Sequence, residues 1–211
     1  MLLSTDLFYA LRKDILEGKY PRGHKLTEQD ICSGHNVSRT PVREAIRQLE
    51  TEGLIETIPN RGAYVLGLAE QDAFDILELR KAYEVLAVKW AIERITDDEF
   101  DALEETFDFM EFYTEKNDVE KMAKINTSFH QIIYAASHNR MIQNLLSSYQ
   151  QYFEYTKARQ AIKENCLLQV LEEHREIFEA FRDRDVESGI KAMEKHMEKS
   201  IERCYQAFDR R

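Results

Sequence analysis

Apolar residues recur along this chain mainly at helical spacing. Leu7, Leu11 and Ile15 follow one another at intervals of four, which predicts an amphipathic helix over residues 5–17. The same kind of spacing runs from residue 70 to residue 208 without any strand pattern. The hydrophobic pattern therefore predicts a mainly α protein, with its strands confined to the region between these helical parts.

Two short helices joined by a tight turn are predicted after the first helix. Thr27 is suited to cap the first of them, which contains Ile31 and which Gly34 is expected to end. Ser38 is suited to cap the second, which ends at Gly53. The apolar face of this second helix consists of Val42, Ala45, Ile46 and Leu49. Such a pair is the helix-turn-helix pattern.

A β-hairpin is predicted next, from the runs LIETI at 54–58 and AYVL at 63–66. Three helices followed by a hairpin make a winged helix, whose recognition helix enters the DNA major groove with its N-terminus first. The side chains placed to meet DNA are Arg39, Thr40, Arg43 and Arg47, with Arg61 and Gly62 at the hairpin tip. The alternative is that these arginines lie on a solvated helix face, paired with Glu44 and Glu50. The surrounding helix-turn-helix and hairpin favour DNA.

The residues from 26 to 65, LTEQDICSGHNVSRTPVREAIRQLETEGLIETIPNRGAYV, resemble the winged-helix domain of GntR-type transcription regulators. The segments SRTPVREA and RGAYV are the most specific, and the resemblance covers about residues 5–67. It implies operator contacts by Arg39, Thr40, Arg43, Arg61 and Gly62. Gln29 stands where many members carry an arginine, so no contact is carried over to that position.

The rest of the chain predicts an all-α bundle of about six helices. Their expected ranges are 70–94, 97–116, 118–136, 139–161, 164–183 and 186–208. The expected caps are Thr96 with Glu99 in a capping box, Asn117 or Asp118, Asn139, and Asp185. The charged residues between 172 and 203 are interpreted as a solvated face.

Three histidines lie on or beside the apolar stripes of these helices. Asn126 and His130 are one turn apart on the flank of one stripe, and His174 lies within another. If the last two helices fold back around Arg184, His174 and His196 lie ~15 and ~18 Å from the turn and therefore side by side. Three imidazoles and an amide oxygen would suit a first-row divalent metal, with open positions for a small ligand. The alternative is three ordinary core histidines, each held by a hydrogen bond.

A second resemblance bears on these histidines. The segments DAFDILELRKAYEVLAVKWAI, NTSFHQIIYAASHN and EEHREIFEAFRDRDVESGIKAMEKHM resemble the ligand-binding FCD domain of the FadR subfamily, over about residues 70–208. The resemblance implies a metal, zinc or nickel, held by Asn126, His130, His174 and His196. Asn126 replaces the usual aspartate. The family also suggests a small organic acid over the metal, with Arg80 either as its carboxylate partner or in a salt bridge with Glu84.

Composition and charge separate the two parts of the chain. The 211 residues are 43% hydrophobic and contain only 7 glycines and 3 prolines, which suits a helical protein of one large or two ordinary domains. The first 67 residues hold nine basic and nine acidic side chains, whereas the other 144 hold twenty and thirty and carry the whole net charge of −10. Cys32, Cys166 and Cys204 form no CxxC pair, which disfavours a disulfide framework or thiolate zinc site. No signal peptide or membrane-spanning run is recognised, so we expect a cytoplasmic protein.

These observations predict a DNA-binding domain at 1–67 and an effector-binding and dimerisation domain at 68–211. We expect a homodimeric transcription regulator that binds a palindromic operator and responds to a small carboxylate. Two alternatives are a regulator with a metal-free effector pocket and a histidine-based metalloenzyme. The enzyme is disfavoured because no carboxylate base stands out near the histidines. We therefore expect that the protein is not an enzyme.

Overall fold

The computed structural model of the chain describes residues 4–154 and 166–208, and the chain divides into two compact units between Ala69 and Glu70. The predicted division follows Gly67. The elements of the first unit are α1 (Ser4–Leu16), β1 (Lys25–Leu26), α2 (Glu28–His35), α3 (Arg39–Thr51), β2 (Ile55–Ile58) and β3 (Gly62–Val65). This order is that of a winged helix-turn-helix.

The strands of the first unit form one antiparallel sheet in the order β1-β3-β2. Ile55 pairs with Val65 across the predicted hairpin, and Lys25 pairs with Tyr64 on the other edge. The strand β1 was not predicted, because two residues are too few for an alternating pattern to be detected. Its Leu26 is buried with the apolar residues of α1, α2 and α3.

The turn between α2 and α3 corrects one prediction. The helix α2 does not end at Gly34 but continues to His35, and Asn36 ends it. Asn36 has φ 52° and ψ 48°, and its N–H donates to the carbonyl of Cys32. Asparagine tolerates this left-handed conformation better than most residues and is an established helix terminator. The local backbone preference of Asn36 therefore decides where α2 ends.

The second unit is all-helical in the part that the structure describes. Its elements are α4 (Glu70–Arg94), α5 (Asp97–Glu115), α6 (Val119–Ala136), α7 (Arg140–Glu154), α8 (Leu167–Arg182) and α9 (Val186–Phe208). These six helices and the winged helix before them confirm the predicted fold class. The predicted extension of the fourth helix to 161 and the start of the fifth at 164 lie outside the described residues.

The predicted caps account for several helix starts. Thr96 and Glu99 form a complete capping box, each side chain satisfying the other's backbone N–H. Asp118, rather than Asn117, caps α6. Asn139 and Asp185 accept hydrogen bonds from the first-turn N–H groups of α7 and α9.

Helices α8 and α9 form the predicted antiparallel hairpin. Glu176 on α8 pairs with Lys195 on α9 at 2.6 Å, and Glu173 meets Arg203 further from the turn. Gly189 lets α9 approach its neighbours closely, since a Cβ atom there would clash with the side chain of Ile92 on α4. None of the helices within residues 4–154 and 166–208 is both long and apolar enough to cross a membrane.

Candidate functional site

The start of α3 presents the predicted DNA-binding arginines to solvent. Arg39 and Arg43 are exposed, together with Thr40 and, one turn further on, Arg47. The opposite side of the helix buries Val42, Ala45 and Leu49. The first turn of α3 contains no acidic side chain, so the partial positive charge of the helix N-terminus adds to that of the arginines.

Two of these arginines have carboxylate partners at the surface. Arg43 Nε donates to Glu28 Oε1 at 2.7 Å, and Arg47 Nη2 lies 3.4 Å from Glu44 Oε1. Both guanidinium side chains remain largely exposed, at 67% and 77%. Exposed ion pairs contribute ~0–1 kcal/mol, so either arginine can exchange its carboxylate for a phosphate or a base. The alternative of a solvated face predicted that these arginines pair with Glu44 and Glu50. Glu44 does pair with Arg47, whereas Glu50 accepts a hydrogen bond from the backbone N–H of Thr57.

The hairpin tip exposes Arg61 beside two residues with positive φ. Asn60 has φ 61° and Gly62 has φ 108°, a value that favours glycine. A Cβ atom on Gly62 would lie 3.0 Å from Cε of Lys25. The positive φ and the nearby Lys25 side chain therefore account for a glycine at position 62. The contact of Gly62 with DNA stays a prediction.

The three predicted histidines converge inside the second unit. His130 on α6, His174 on α8 and His196 on α9 each present one ring nitrogen, and these nitrogens lie within 4.8 Å of one another. The three side chains are at most 4% exposed. His130 Nε2 and His174 Nε2 are only 3.3 Å apart.

The other ring nitrogen of each histidine has an acceptor beside it. His174 Nδ1 donates to the carbonyl of Val170 at 2.7 Å, and His196 Nδ1 donates to Glu173 Oε2 at 3.0 Å. His130 Nδ1 lies 2.7 Å from Glu84 Oε2, as an ion-pair contact without good hydrogen-bond alignment. Two acceptors at these distances would repel, so each Nδ1 carries a hydrogen. Nε2 is therefore the nitrogen of each ring that is left to bind a metal.

Burial keeps two of the histidines neutral. Burial lowers the pKa of His174 well below its usual range, and the neighbouring His196 and His130 lower it further. Burial also lowers the pKa of His196 to about 4, although its hydrogen bond to Glu173 acts in the opposite direction. At neutral pH both rings are therefore available as metal ligands.

Each supporting carboxylate is itself held by an arginine. Glu84 Oε1 accepts from Arg80 Nε at 2.8 Å and lies 2.6 Å from Arg80 Nη2. Glu173 accepts from both terminal nitrogens of Arg203, at 2.8 Å each. Burial would raise the pKa of Glu84, but Arg80 and His130 hold it below its usual range. Burial likewise opposes the hydrogen bonds from Arg203 and His196 that lower the pKa of Glu173 to about 2.

Asn126 and Arg80 line a pocket that opens beside two of the histidines, His130 and His196. Its other polar lining residues are Thr127, Gln150, Glu154, Ser200 and Arg203. Arg80 forms the predicted ion pair with Glu84, so one of its two predicted roles is observed. Because Arg80 also lines the pocket, its contact with an effector stays a prediction.

The donor set fits a divalent metal. Lone pairs on three Nε2 atoms facing one another repel unless a proton or a cation lies among them. Imidazoles whose Nδ1–H groups donate to a carboxylate or a carbonyl are typical metal ligands, because the hydrogen bond fixes the tautomer and raises the basicity of Nε2. Imidazole nitrogens suit zinc and nickel among other first-row ions. His130, His174 and His196 are therefore suited to hold such an ion, and the predicted fourth ligand, Asn126, lines the pocket beside two of them.

The sequence missed the residues that support the histidines. Glu173 is 2% exposed and Arg203 is bound to it, although both belong to the charged stretch interpreted as a solvated face. That interpretation is wrong for these two residues, because α9 covers this side of α8. The pairing of Glu84 with Arg80 has a signal in the sequence, their i,i+4 spacing. The contact of Glu84 with His130 has none, because it joins two helices that are far apart in the sequence. Tyr134, fully buried on α6 with its ring centroid 6.1 Å from that of His130, was also missed, although it lies four residues after that histidine.

A winged helix-turn-helix joined to an all-helical unit is the architecture of a DNA-binding transcription regulator, and the comparisons with known proteins agree. Residues 3–65 match the family described as bacterial regulatory proteins, gntR family, and residues 75–199 match the FCD domain. The chain belongs to the GntR family of transcription regulators with an FCD domain. This membership confirms the resemblances and the prediction that the protein is not an enzyme.

Relatives and solved structures are similar over nearly the whole chain. The HTH-type transcriptional regulator YdhC of Bacillus subtilis is 28% identical, over 87% of this chain and 83% of the relative. The galactonate operon transcriptional repressor of Escherichia coli is also 28% identical, over 90% of this chain and 92% of the relative. The solved structure of E. coli McbR/YncC has the same fold, with a TM-score of 0.74, 21% identity and 99% of both chains covered.

Proposed function

We propose that this regulator is a homodimeric repressor whose affinity for its operator is controlled by a small organic acid. The acid binds in the pocket of the second unit, next to a divalent metal held by His130, His174, His196 and Asn126. Arg39, Thr40, Arg43, Arg47, Arg61 and Gly62 contact the operator. The protein acts in the cytoplasm, and zinc and nickel are the ions that the donor set favours.

The observation that carries this proposal is the convergence of three buried Nε2 atoms whose Nδ1 partners are already engaged. A core that only needed to fill space would use apolar side chains, because burying polar groups without partners is costly. The pocket beside the histidines adds hydroxyl, amide and guanidinium groups, which suit a polar, anionic ligand, and one carboxylate, that of Glu154. The name of the galactonate operon repressor also favours a hydroxylated carboxylate.

The DNA side of the proposal follows from the exposed start of α3. Homodimers with two-fold symmetry bind two half-sites about one helical turn apart, so the operator is expected to be palindromic. When bound, the metal supplies a positive charge that attracts the carboxylate of the acid. The residues that line the pocket orient the acid and exclude water from it. A coupling of ~1–3 kcal/mol between effector and operator would change DNA affinity ~5–150-fold.

The experiment begins with metal analysis of protein purified without a histidine tag or a chelator. A thermal-shift screen of small carboxylates and sugar acids, with and without Zn²⁺ or Ni²⁺, then identifies stabilising acids. Each hit is tested for release of the protein from operator DNA. We expect a metal-dependent hit that weakens DNA binding. His174→Leu should lose the metal-dependent shift, whereas His138→Asn, a half-exposed histidine in the same unit, should keep it.

Three results would count against parts of the proposal. Stabilisation by an acid in fully metal-free protein would favour the metal-free pocket. An operator affinity that is unchanged by every stabilising acid would exclude effector control. Binding of the acid that survives in His174→Leu would move the effector away from the histidines.

A further inference from the structure

The inner ligands of the histidine site are all neutral. His130, His174 and His196 bind a metal ion as neutral imidazoles, and Asn126, which lines the pocket beside His130 and His196, offers an amide oxygen that carries no charge. Asn126 replaces the aspartate that the resemblance would place there. A divalent ion at this site therefore meets no negative charge among its direct ligands.

The carboxylates around the site do not supply the missing charge. Glu84 is bound by Arg80, with contacts of 2.6 and 2.8 Å, and Glu173 is bound by Arg203 at 2.8 Å. Glu84 and Glu173 are almost fully buried; Arg80 balances the charge of Glu84, and Arg203 together with Lys199, whose Nζ lies 3.6 Å from Glu173 Oε1, more than balances that of Glu173. The shell around the histidines therefore holds no surplus of negative charge before any ion enters.

A divalent charge without a compensating negative charge is unfavourable in such a place, because a buried ion loses its hydration and needs an opposite charge in its stead. Resting on the proposed function, we infer that this site binds its metal and a small anion cooperatively, the anion supplying the charge that Asn126 does not. The anion is a small carboxylate or another oxyanion entering by the pocket. Because coupling is reciprocal, each ligand raises the affinity for the other by the same factor.

Glu154 is the competing source of charge. Among the described residues that line the pocket, it is the only acid. Its Oε1 accepts a hydrogen bond from Thr127 Oγ1 at 3.1 Å, and Thr127 follows Asn126 on α6. If Glu154 balanced the metal, an added anion would not be needed. Charge balance by an added anion and charge balance by Glu154 therefore predict different effects for a substitution of Asn126 and for one of Glu154.

The test uses Co²⁺ as a spectroscopic probe of metal binding, in the full-length metal-free protein. Co²⁺ is titrated in sodium acetate and in sodium perchlorate of equal ionic strength, since perchlorate is a poor ligand. In the native sequence we expect acetate to lower the Kd for Co²⁺ at least about fivefold, and Co²⁺ to strengthen acetate binding equally. In Asn126→Asp we expect tight Co²⁺ binding in perchlorate and an acetate effect below about twofold. Glu154→Gln should retain the acetate dependence of the native sequence.

Each other outcome is decisive. Equal Co²⁺ affinity in acetate and perchlorate, together with loss of Co²⁺ binding in Glu154→Gln, would overturn the inference. It would leave the metal site of the proposed function in place. An acetate effect of the same size in Asn126→Asp would also overturn it. Absence of Co²⁺ binding under all conditions would overturn both. Circular dichroism and the melting temperature of Asn126→Asp show whether its fold is intact.

Discussion

Arg203 holds Glu173 with both terminal nitrogens of its guanidinium, each 2.8 Å from a carboxylate oxygen. The same carboxylate accepts the Nδ1–H of His196 at 3.0 Å. Glu173 on α8 therefore fixes the orientation of a ring on α9, and Arg203 fixes Glu173. Residues of this kind, which hold the metal-binding side chains rather than the metal, set how well a site is organised beforehand.

We predict that Glu173→Gln weakens metal binding. The amide has one acceptor oxygen instead of two and places an NH2 group against the guanidinium of Arg203, so the hold on the His196 ring weakens, and affinity should fall ~10–100-fold. Competition with a chromophoric chelator measures the change. Glu176→Gln, one turn along α8 and paired with Lys195 at the surface, is the matched control and should have no effect. Native affinity in Glu173→Gln would show that the carboxylate does not support the site.

The metal-free protein should lose stability as the pH falls from 7.5 towards 5. Burial lowers the pKa of His174 and that of His196 below the value of 6.5 expected after unfolding. Above pH 6.5 both states are neutral at these rings, so they contribute no pH dependence. Below it the unfolded chain takes up protons that the folded chain does not, and the free energy of unfolding falls by up to about 1.4 kcal/mol per pH unit for each histidine.

Chemical denaturation of the metal-free protein between pH 7.5 and 5 measures this loss. Glu84 and Glu173, whose pKa values are lowered in the folded state, add a further loss only at more acidic pH. Added Zn²⁺ should raise the melting temperature at pH 7.5 and do so less at pH 5.5, because protons compete for the imidazoles. A stability that is constant from pH 7.5 to 5 would contradict the buried, neutral state of the two rings.

We predict that Arg39→Ala and Arg43→Ala each weaken sequence-specific DNA binding. Loss of a bidentate contact with a base should cost ~1–3 kcal/mol, which corresponds to ~5–150-fold in affinity. Fluorescence anisotropy with an operator and with a scrambled duplex separates specific from general binding. Lys13→Ala removes one exposed positive charge from α1 and is the charge-matched control. A drop of equal size on both duplexes would mean that the arginines contact only phosphates.

Gly189→Ala should destabilise the second unit by ~1–3 kcal/mol, as overpacking of a tight helix contact does. The new methyl group would clash with Ile92 and lie 3.1 Å from Cγ1 of Val88. Gly34→Ala is the control, because nothing lies within 4 Å of the added atom and alanine favours a helix by ~0.5–1 kcal/mol. Denaturant titration compares the two, and a Gly189→Ala protein that is as stable as the native sequence would exclude close packing as the reason for Gly189.

Local signals predicted much of the fold. The capping box of Thr96 and Glu99 depends on residues three apart, and the hairpin register depends on its own short turn. The end of α2 shows where such reasoning fails. Both Gly34 and Asn36 can end a helix, and the prediction chose the wrong one of these two local signals.

The sequence by itself determined the winged helix-turn-helix, the six-helix unit and the three histidines at matching levels, because periodicity and spacing are properties of neighbouring residues. The tertiary structure alone decided that Glu84 meets His130, that Glu173 is buried rather than solvated, and that Gly189 must stay small. Those outcomes depend on which helix covers which face. Contacts between residues far apart in the chain do not appear in the periodicity of either helix, so only the packed structure shows them.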